Sequence, residues 1–149
     1  MKKIRIITNS ICAALILAYV VVLALKWAQL PEQVPLHFDG TGAADKYGGK
    51  GSLIVQPVIA AFIFGIIAIV ERVPSLWNLP VKVTAANRER VYAFTTLLLG
   101  IIVILVTALI LYSGICCMAS FGALWPVLVF VGLILAVTFA GVIVLASMT

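Results

Sequence analysis

Long apolar stretches and short polar ones alternate along the chain, and the apolar stretches have the length of membrane-spanning helices. A helix needs ~20 apolar residues to cross the ~30 Å hydrocarbon core of a bilayer. Residues 4–25 and 53–70 each fit this requirement. Residues 91–148 form a stretch of 58 residues without a charged side chain. As one helix this stretch would be ~87 Å long, so we predict that it folds back and forms two spans.

Small and polar residues indicate where this long stretch turns. Two serines and two glycines cluster within residues 113–123, and Pro126 follows shortly afterwards. Proline is well tolerated in the first turn of a helix, where its missing N–H would have no partner. The predicted spans are therefore residues 4–25, 53–70, 91–112 and 124–147.

The composition agrees with an integral membrane protein. Apolar residues make up 64% of the chain and charged residues only 10%, against roughly 45–50% and about 25% in soluble domains. A soluble domain of 149 residues could not keep so much apolar surface away from water. The three cysteines lie in or beside apolar stretches and are predicted to be buried. We predict an all-α integral membrane protein: one domain over residues 1–149, a four-transmembrane-helix bundle with an extracytoplasmic glycine-rich loop.

Basic residues near the span ends predict the orientation in the membrane. Lys2, Lys3 and Arg5 precede the first span without an acidic neighbour, and the loop between the second and third spans has a net charge of +2. The loop between the first two spans is neutral. Because basic residues concentrate on the cytoplasmic side, we predict that both termini are cytoplasmic and that the first loop faces outward. The first span is expected to stay as an anchor, since no small-x-small cleavage motif follows it.

Small residues recur four positions apart within the spans, as in Ala61 with Gly65, Thr96 with Gly100, and Gly132 with Ala136. Such pairs let helix backbones approach closely, and they predict a compact bundle. Glycine is frequent in membrane helices generally, so chance composition stays an alternative explanation for each pair.

The loop between the first two spans concentrates the polar chemistry of the chain. It holds the only histidine, His37, with three of the five acidic residues and five of the eleven glycines. Pro31 and Pro35 disfavour a helix, so residues 34–38 are predicted to be extended. Side chains alternate along an extended strand, and His37 and Asp39 should therefore point to the same side.

A glycine-rich backbone beside a membrane surface could form a ligand-binding loop. Gly40 and Gly42 permit a tight turn with positive φ after the extended segment. The predicted ligand-binding residues are Pro35, His37, Phe38, Asp39, Gly42, Asp45 and Lys50.

The imidazole and the carboxylates of this loop allow a second hypothesis. His37, Asp39 and Asp45 could bind one divalent metal ion, or His37 could act as a general base that a carboxylate orients. In a purely structural interpretation, Asp39 caps the turn and His37 donates to a backbone carbonyl. One histidine with scattered acids lacks a recognised metal spacing, so apart from such a metal we expect no cofactor.

The second loop, residues 71–90, has the features of an ordinary membrane boundary. Thr84 is a predicted N-cap for the helix that continues into the third span. Arg88 and Arg90 follow it and are predicted to contact anionic lipid headgroups at the cytoplasmic surface.

The first loop also carries a family resemblance. The pattern consists of Leu30-Pro31, Pro35, His37-Phe38, Asp39, Gly42, Asp45 and Lys50, followed by Pro80-Val81-Lys82-Val83-Thr84. It resembles the domain of unknown function 1648 of SdpI-type bacterial membrane proteins, over roughly residues 15–98. The resemblance implies a multi-pass protein of the bacterial inner (cytoplasmic) membrane. The best-known members are longer proteins that give toxin immunity to cells producing a secreted peptide, and one also sequesters a repressor.

We therefore expect a membrane protein that binds or senses an extracytoplasmic ligand such as a toxin peptide, rather than an enzyme. The alternative is a membrane-embedded metal-dependent enzyme that uses His37, Asp39 and Asp45. The expected partners are the lipid bilayer, a peptide ligand or a membrane partner protein, and a second copy of the chain in a homo-oligomer. Nucleic acid is not an expected partner.

Overall fold

The computed structural model describes residues 1–148 and contains four long helices and one β-hairpin. A 3₁₀ segment, Lys50–Ile54, leads from the hairpin into the second helix, and a short one, Pro74–Leu76, lies in the second loop. The elements in chain order are α1 (Lys2–Lys26), β1 (Gln33–Phe38), β2 (Ala44–Gly49), α2 (Val55–Val70), α3 (Arg88–Ala119) and α4 (Leu124–Ala146).

All four helices, with α2 extended to Lys50–Val70 by its 3₁₀ segment, are long and apolar enough to cross a membrane. Large apolar side chains point away from the protein on them: Leu17, Phe62 and Phe139 are 64%, 69% and 69% exposed. Such side chains would be unfavourable in water and suit contact with lipid tails. The predicted all-α bundle of four membrane helices is confirmed.

Close contacts at glycines hold α1 against α3. Thr8 packs against Gly100 and the Tyr19 ring packs against Gly114, where a β-carbon on either glycine would overlap the side chain. The two contacts occur in the same order along both helices, so α1 and α3 run in the same direction. This is the direction that alternating membrane spans require.

The small residues of the bundle therefore divide into two groups. Gly100 lies at a helix contact as the sequence predicts, whereas a β-carbon added to Gly65 or Gly132 would meet no other atom within 4 Å. Spacing of small residues cannot separate these cases, because it does not say which face of a helix meets a neighbour.

The first loop forms the hairpin. β1 pairs with β2 in antiparallel register, with Val34 opposite Gly48 and Pro35 opposite Tyr47. The extended conformation predicted for residues 34–38 is therefore present. The register is irregular on both sides of His37, and β1 ends at Phe38, directly before Asp39.

The turn between the last two spans is shorter than the sequence predicts. α3 continues through Ser113 and Gly114 and ends at Ala119, which leaves only residues 120–123 between α3 and α4. Ser113 Oγ donates to the Ile110 carbonyl at 2.7 Å, so the serine is satisfied inside the helix. Ser120 ends α3 in the left-handed conformation, with φ of 51°.

The bundle has two distinct ends. At the hairpin end lie the hairpin, residues 33–49, and the α3–α4 turn, residues 120–123. At the basic end lie the start of α1, the loop 71–87 and the end of α4. Arg5 and Glu71 are linked there by a hydrogen bond of 3.1 Å from Arg5 Nη1 to the Glu71 carbonyl.

The second loop closes onto the start of α3. The Thr84 N–H donates to Asn87 Oδ1 at 2.8 Å, and the Asn87 N–H donates to Thr84 Oγ1 at 3.3 Å. This reciprocal pair resembles a capping box, and it begins a turn at Thr84, four residues before α3 starts at Arg88. Asn87 Nδ2 also donates to the Met148 carbonyl at 2.9 Å, which ties the loop to the end of α4.

Candidate functional site at the hairpin end

The hairpin docks on the α3–α4 turn through two glycines. Gly42, with φ of 86°, faces the backbone of Gly122 so closely that a β-carbon at Gly42 would overlap the Gly122 carbonyl oxygen. Gly122 in turn packs under the ring of Phe38, where a β-carbon on Gly122 would overlap that ring. These contacts join residues about eighty positions apart and fix the tip of the hairpin above the helices.

A cavity of about 320 Å³ lies between the docked hairpin and the ends of α3 and α4. Its volume is at the lower end of the ~300–1,000 Å³ range of small-ligand pockets. Both apolar and polar side chains line it; strand β1 supplies His37 and Phe38, and Asp39 follows directly after the strand. The remaining lining residues are Leu36, Gln56, Tyr112, Ser113, Cys116, Cys117, Gly122, Ala123, Leu124 and Val127.

His37 and Asp45 form a close pair across the hairpin. His37 Nδ1 lies 2.6 Å from Asp45 Oδ1, and both side chains remain about half exposed or more, at 65% and 48%. The structural interpretation of the sequence placed His37 on a backbone carbonyl, and the structure places it on a carboxylate instead. An imidazole oriented by a carboxylate is an arrangement that general bases use.

Asp39 is occupied with the turn. Its Oδ1 accepts hydrogen bonds from the Thr41 hydroxyl at 2.6 Å, the Thr41 N–H at 2.8 Å and the Ala43 N–H at 3.1 Å. The Thr41 hydroxyl and the backbone N–H groups lower the pKa of the Asp39 carboxyl, because they stabilise its charged form. The expected turn cap is therefore present, and it leaves a negative charge at the cavity wall.

Pro35 and Lys50 support the hairpin at its base and do not line the cavity. Pro35 is buried in β1 opposite Tyr47. Lys50 Nζ donates to Glu32 Oε1 at 2.9 Å and lies 5.4 Å from the centroid of the Trp27 ring. A charge pair and a cation–π contact together hold this lysine where the chain enters α2.

The three predicted metal ligands are thus not arranged as one cluster. Within residues 1–148, no group of three His, Cys, Asp or Glu side chains is positioned to hold a metal ion. Binding of a divalent metal by His37, Asp39 and Asp45 stays a prediction.

Sequence reasoning missed the half of the cavity that α3 and α4 provide. Tyr112, Ser113 and the cysteine pair Cys116-Cys117 lie on the last two turns of α3. Both cysteines are buried, as their apolar surroundings predict. Gly122 in the α3–α4 turn indicates that another part of the chain can approach the backbone closely there. The sequence around Gly122 does not identify Phe38 as that neighbour.

The basic end presents a second finding that the sequence did not predict. Glu71, which follows α2 directly, is only 1% exposed, and neither carboxylate oxygen has a hydrogen-bond partner among the described residues. Burial raises the pKa of the Glu71 carboxyl, although the charges of Arg5 and Arg72 and the Asn9 amide oppose this shift. Arg88 and Arg90 are exposed at this end, at the start of α3, as their predicted contact with lipid headgroups requires.

The helices define the class of this protein, a multi-pass membrane protein. Residues 14–61 match the family described as domain of unknown function (DUF1648), so the expected resemblance is confirmed for the N-terminal part of the chain. This match covers the second half of α1, the hairpin and the first part of α2, but not the α3 and α4 side of the cavity.

One relative matches about half of the chain. An uncharacterized protein of Archaeoglobus fulgidus is 34% identical over 80 residues, which cover 48% of this chain. The match spans less than half, 42%, of that archaeal protein. No solved structure matches the chain.

Proposed function

We propose that this protein binds an extracytoplasmic peptide at the hairpin end, in the manner of a toxin-immunity protein, and that it is not an enzyme. The observation that carries the proposal is the cavity of about 320 Å³ between the hairpin and the ends of α3 and α4. A concave site with an apolar wall and a few converging polar groups is the usual form of a ligand site. Its volume suits a small molecule or one part of a peptide.

The charge of the cavity wall favours a ligand with apolar and basic groups. Leu36, Phe38 and Val127 give the cavity an apolar surface, whereas Asp39 carries a negative charge beside it. Asp45 adds a carboxylate next to His37. A peptide segment with a large apolar side chain and a neighbouring lysine or arginine would satisfy both features.

The sequence resemblance to SdpI-type proteins favours a peptide and a bacterial setting. DUF1648 covers the hairpin, and the SdpI-type proteins that the sequence resembles protect cells from a secreted peptide. In this proposal the protein lies in the bacterial inner membrane with both termini in the cytoplasm, so that the hairpin end faces the peptide. The structure is compatible with this placement, since the start of α1 and the end of α4 lie at the same end of the bundle.

The test is a protection assay with matched cavity variants. Sensitive bacteria that express the protein are challenged with a panel of secreted cationic antimicrobial peptides. Ser113→Phe fills the cavity wall, whereas Ser147→Phe changes a serine at the basic end; both hydroxyls donate to the carbonyl three residues earlier, at 2.7 Å. We expect Ser113→Phe to abolish protection and Ser147→Phe to retain it.

Two loop variants test the polar part of the same site. His37→Asn should cost about 1 kcal/mol of stability, the scale of one hydrogen bond, and should remove protection because the imidazole is lost. Asp39→Asn removes the negative charge of the wall and should weaken protection in the same assay. Full protection by His37→Asn and Asp39→Asn proteins that remain stable in detergent would contradict the proposal.

The alternative of a metal-dependent enzyme draws on the His37–Asp45 pair, which has the geometry of an oriented base. Elemental analysis of the purified protein decides between the two functions. Stoichiometric zinc or manganese that is retained by the wild type and lost in His37→Ala would favour the enzyme and count against the binding protein.

A further inference from the structure

A basic cleft lies at the opposite end of the bundle, between the start of α1 and the end of α2. Its volume is about 700 Å³. Three cationic side chains line it, Lys2, Arg5 and Arg72, together with the neutral polar side chains of Asn9 and Ser10. The apolar residues Ile6, Ala13 and Phe64 complete the wall. No acidic side chain is among these lining residues.

No salt bridge neutralises the cations of this cleft within the described residues. The salt bridges among residues 1–148 join His37 to Asp45 and Lys50 to Glu32, and none involves a cation of the cleft. Glu71 is buried at this end, and neither of its carboxylate oxygens has a hydrogen-bond partner among the described residues. Arg5 donates to its backbone carbonyl instead.

Arg5 is held in place before any ligand arrives. Its Nη1 donates to the Glu71 backbone carbonyl at 3.1 Å, and its side chain is half-buried. The bond uses one of the five N–H donors of a guanidinium, so the others can serve a ligand. A guanidinium fixed by one bond loses less freedom on binding a second partner.

We propose that this cleft binds the phosphate of an anionic phospholipid headgroup. Two guanidinium groups and one ammonium group match a phosphate in charge, and arginine can bind its oxygens in a bidentate manner. Basic pockets between membrane helices are suited to anionic headgroups. The apolar wall formed by Ile6, Ala13 and Phe64 provides a surface for the adjoining acyl chain, which a free phosphate ion would not use.

The test measures lipid binding by the full-length protein in detergent. Phosphatidylglycerol is titrated against the wild type, and retained lipid is counted by native mass spectrometry while thermal stability is recorded in parallel. A ligand that binds only the folded state raises the stability of the protein, and the rise grows with the logarithm of the ligand's affinity. We expect a saturable shift with one phosphatidylglycerol bound in the cleft.

Lys2→Gln and Arg72→Gln are the informative variants, because both side chains are exposed and neither takes part in a salt bridge. Each should weaken the affinity about fivefold, and the double variant about thirtyfold. Lys82→Gln is the matched control, since this exposed lysine lies at the same end but outside the cleft. It should leave the affinity within twofold of the wild type.

Three results would overturn the proposal. The first is an equal shift with phosphatidylcholine, which carries no net charge. The second is an equal shift with inorganic phosphate in the absence of added lipid, which would identify a phosphate-ion site instead. The third is a Lys82→Gln loss as large as that of Lys2→Gln, which would indicate attraction to the surface as a whole.

Discussion

Docking of the hairpin on the α3–α4 turn depends on the absence of a side chain at Gly122, and Gly122→Ala should release it. A β-carbon at this position would overlap the ring of Phe38, so either the ring or the hairpin must move. Forcing an extra methyl group into a packed site typically costs about 1–3 kcal/mol. Because this cost falls on the docked state alone, the undocked fraction should rise about 5- to 150-fold.

The cysteine pair beneath the hairpin gives a direct assay. Cys116 and Cys117 line the cavity but are only 8% and 4% exposed, so their reaction with a thiol reagent is slow until the hairpin opens. Cys12, which is buried in α1, is replaced by alanine in every variant so that it does not contribute. The rate of reaction with N-ethylmaleimide in native detergent solution should rise by the same factor as the undocked fraction, about 5- to 150-fold.

Gly40→Ala provides the matched control within the same hairpin. Gly40 has no neighbour within 4 Å and does not have a positive φ, so an added methyl group meets no obstacle. Its labelling rate should equal that of the wild type. Equal rates for Gly122→Ala and the wild type would refute the docking argument, and so would an equal rise in Gly40→Ala.

Two further predictions concern the basic end and the orientation. Burial raises the pKa of the Glu71 carboxyl in the folded state, so its contribution to stability is fully present below its ordinary pKa of 4.5 and is lost as the pH rises through the raised value. The wild type should therefore lose stability relative to Glu71→Gln as the pH rises through this range. A difference in detergent unfolding that stays constant with pH would contradict the buried carboxyl. With the native cysteines replaced, Thr41→Cys should react with a membrane-impermeant thiol reagent on intact cells and Ala85→Cys should not, whereas the reverse pattern would overturn the proposed orientation.

The outline of the bundle follows from the sequence because each span is a local property. A stretch of about twenty apolar residues has one favourable state in a bilayer, a helix that satisfies its own backbone hydrogen bonds. The extended β1 segment is likewise local, since Pro35 and its neighbours exclude a helix. The Asp39 turn cap is another local interaction, joining residues at most four positions apart.

The end of α3 is decided by contacts that the sequence does not show. Serine and glycine within residues 113–123 favour a break by local preference, yet α3 continues through Ser113 and Gly114. Gly114 is needed inside the helix, because only a residue without a side chain leaves room for the Tyr19 ring. Tertiary packing therefore outweighs the weak helix preference of glycine here.

The candidate site, by contrast, exists only in the folded bundle. The sequence shows that His37, Phe38 and Asp39 place polar and aromatic side chains in one loop. Their cavity also needs Cys116 and Cys117 of α3 and Gly122 of the α3–α4 turn, which are distant in the chain. Glu71 shows the same limit at the other end: its charge suggests a solvent-exposed loop residue, and its burial follows from where α1 meets the end of α2. The length of each apolar stretch determines which segments cross the membrane. Close packing between helices that are distant in the chain decides which polar groups come into contact, and no local sequence pattern predicts the distances between those groups.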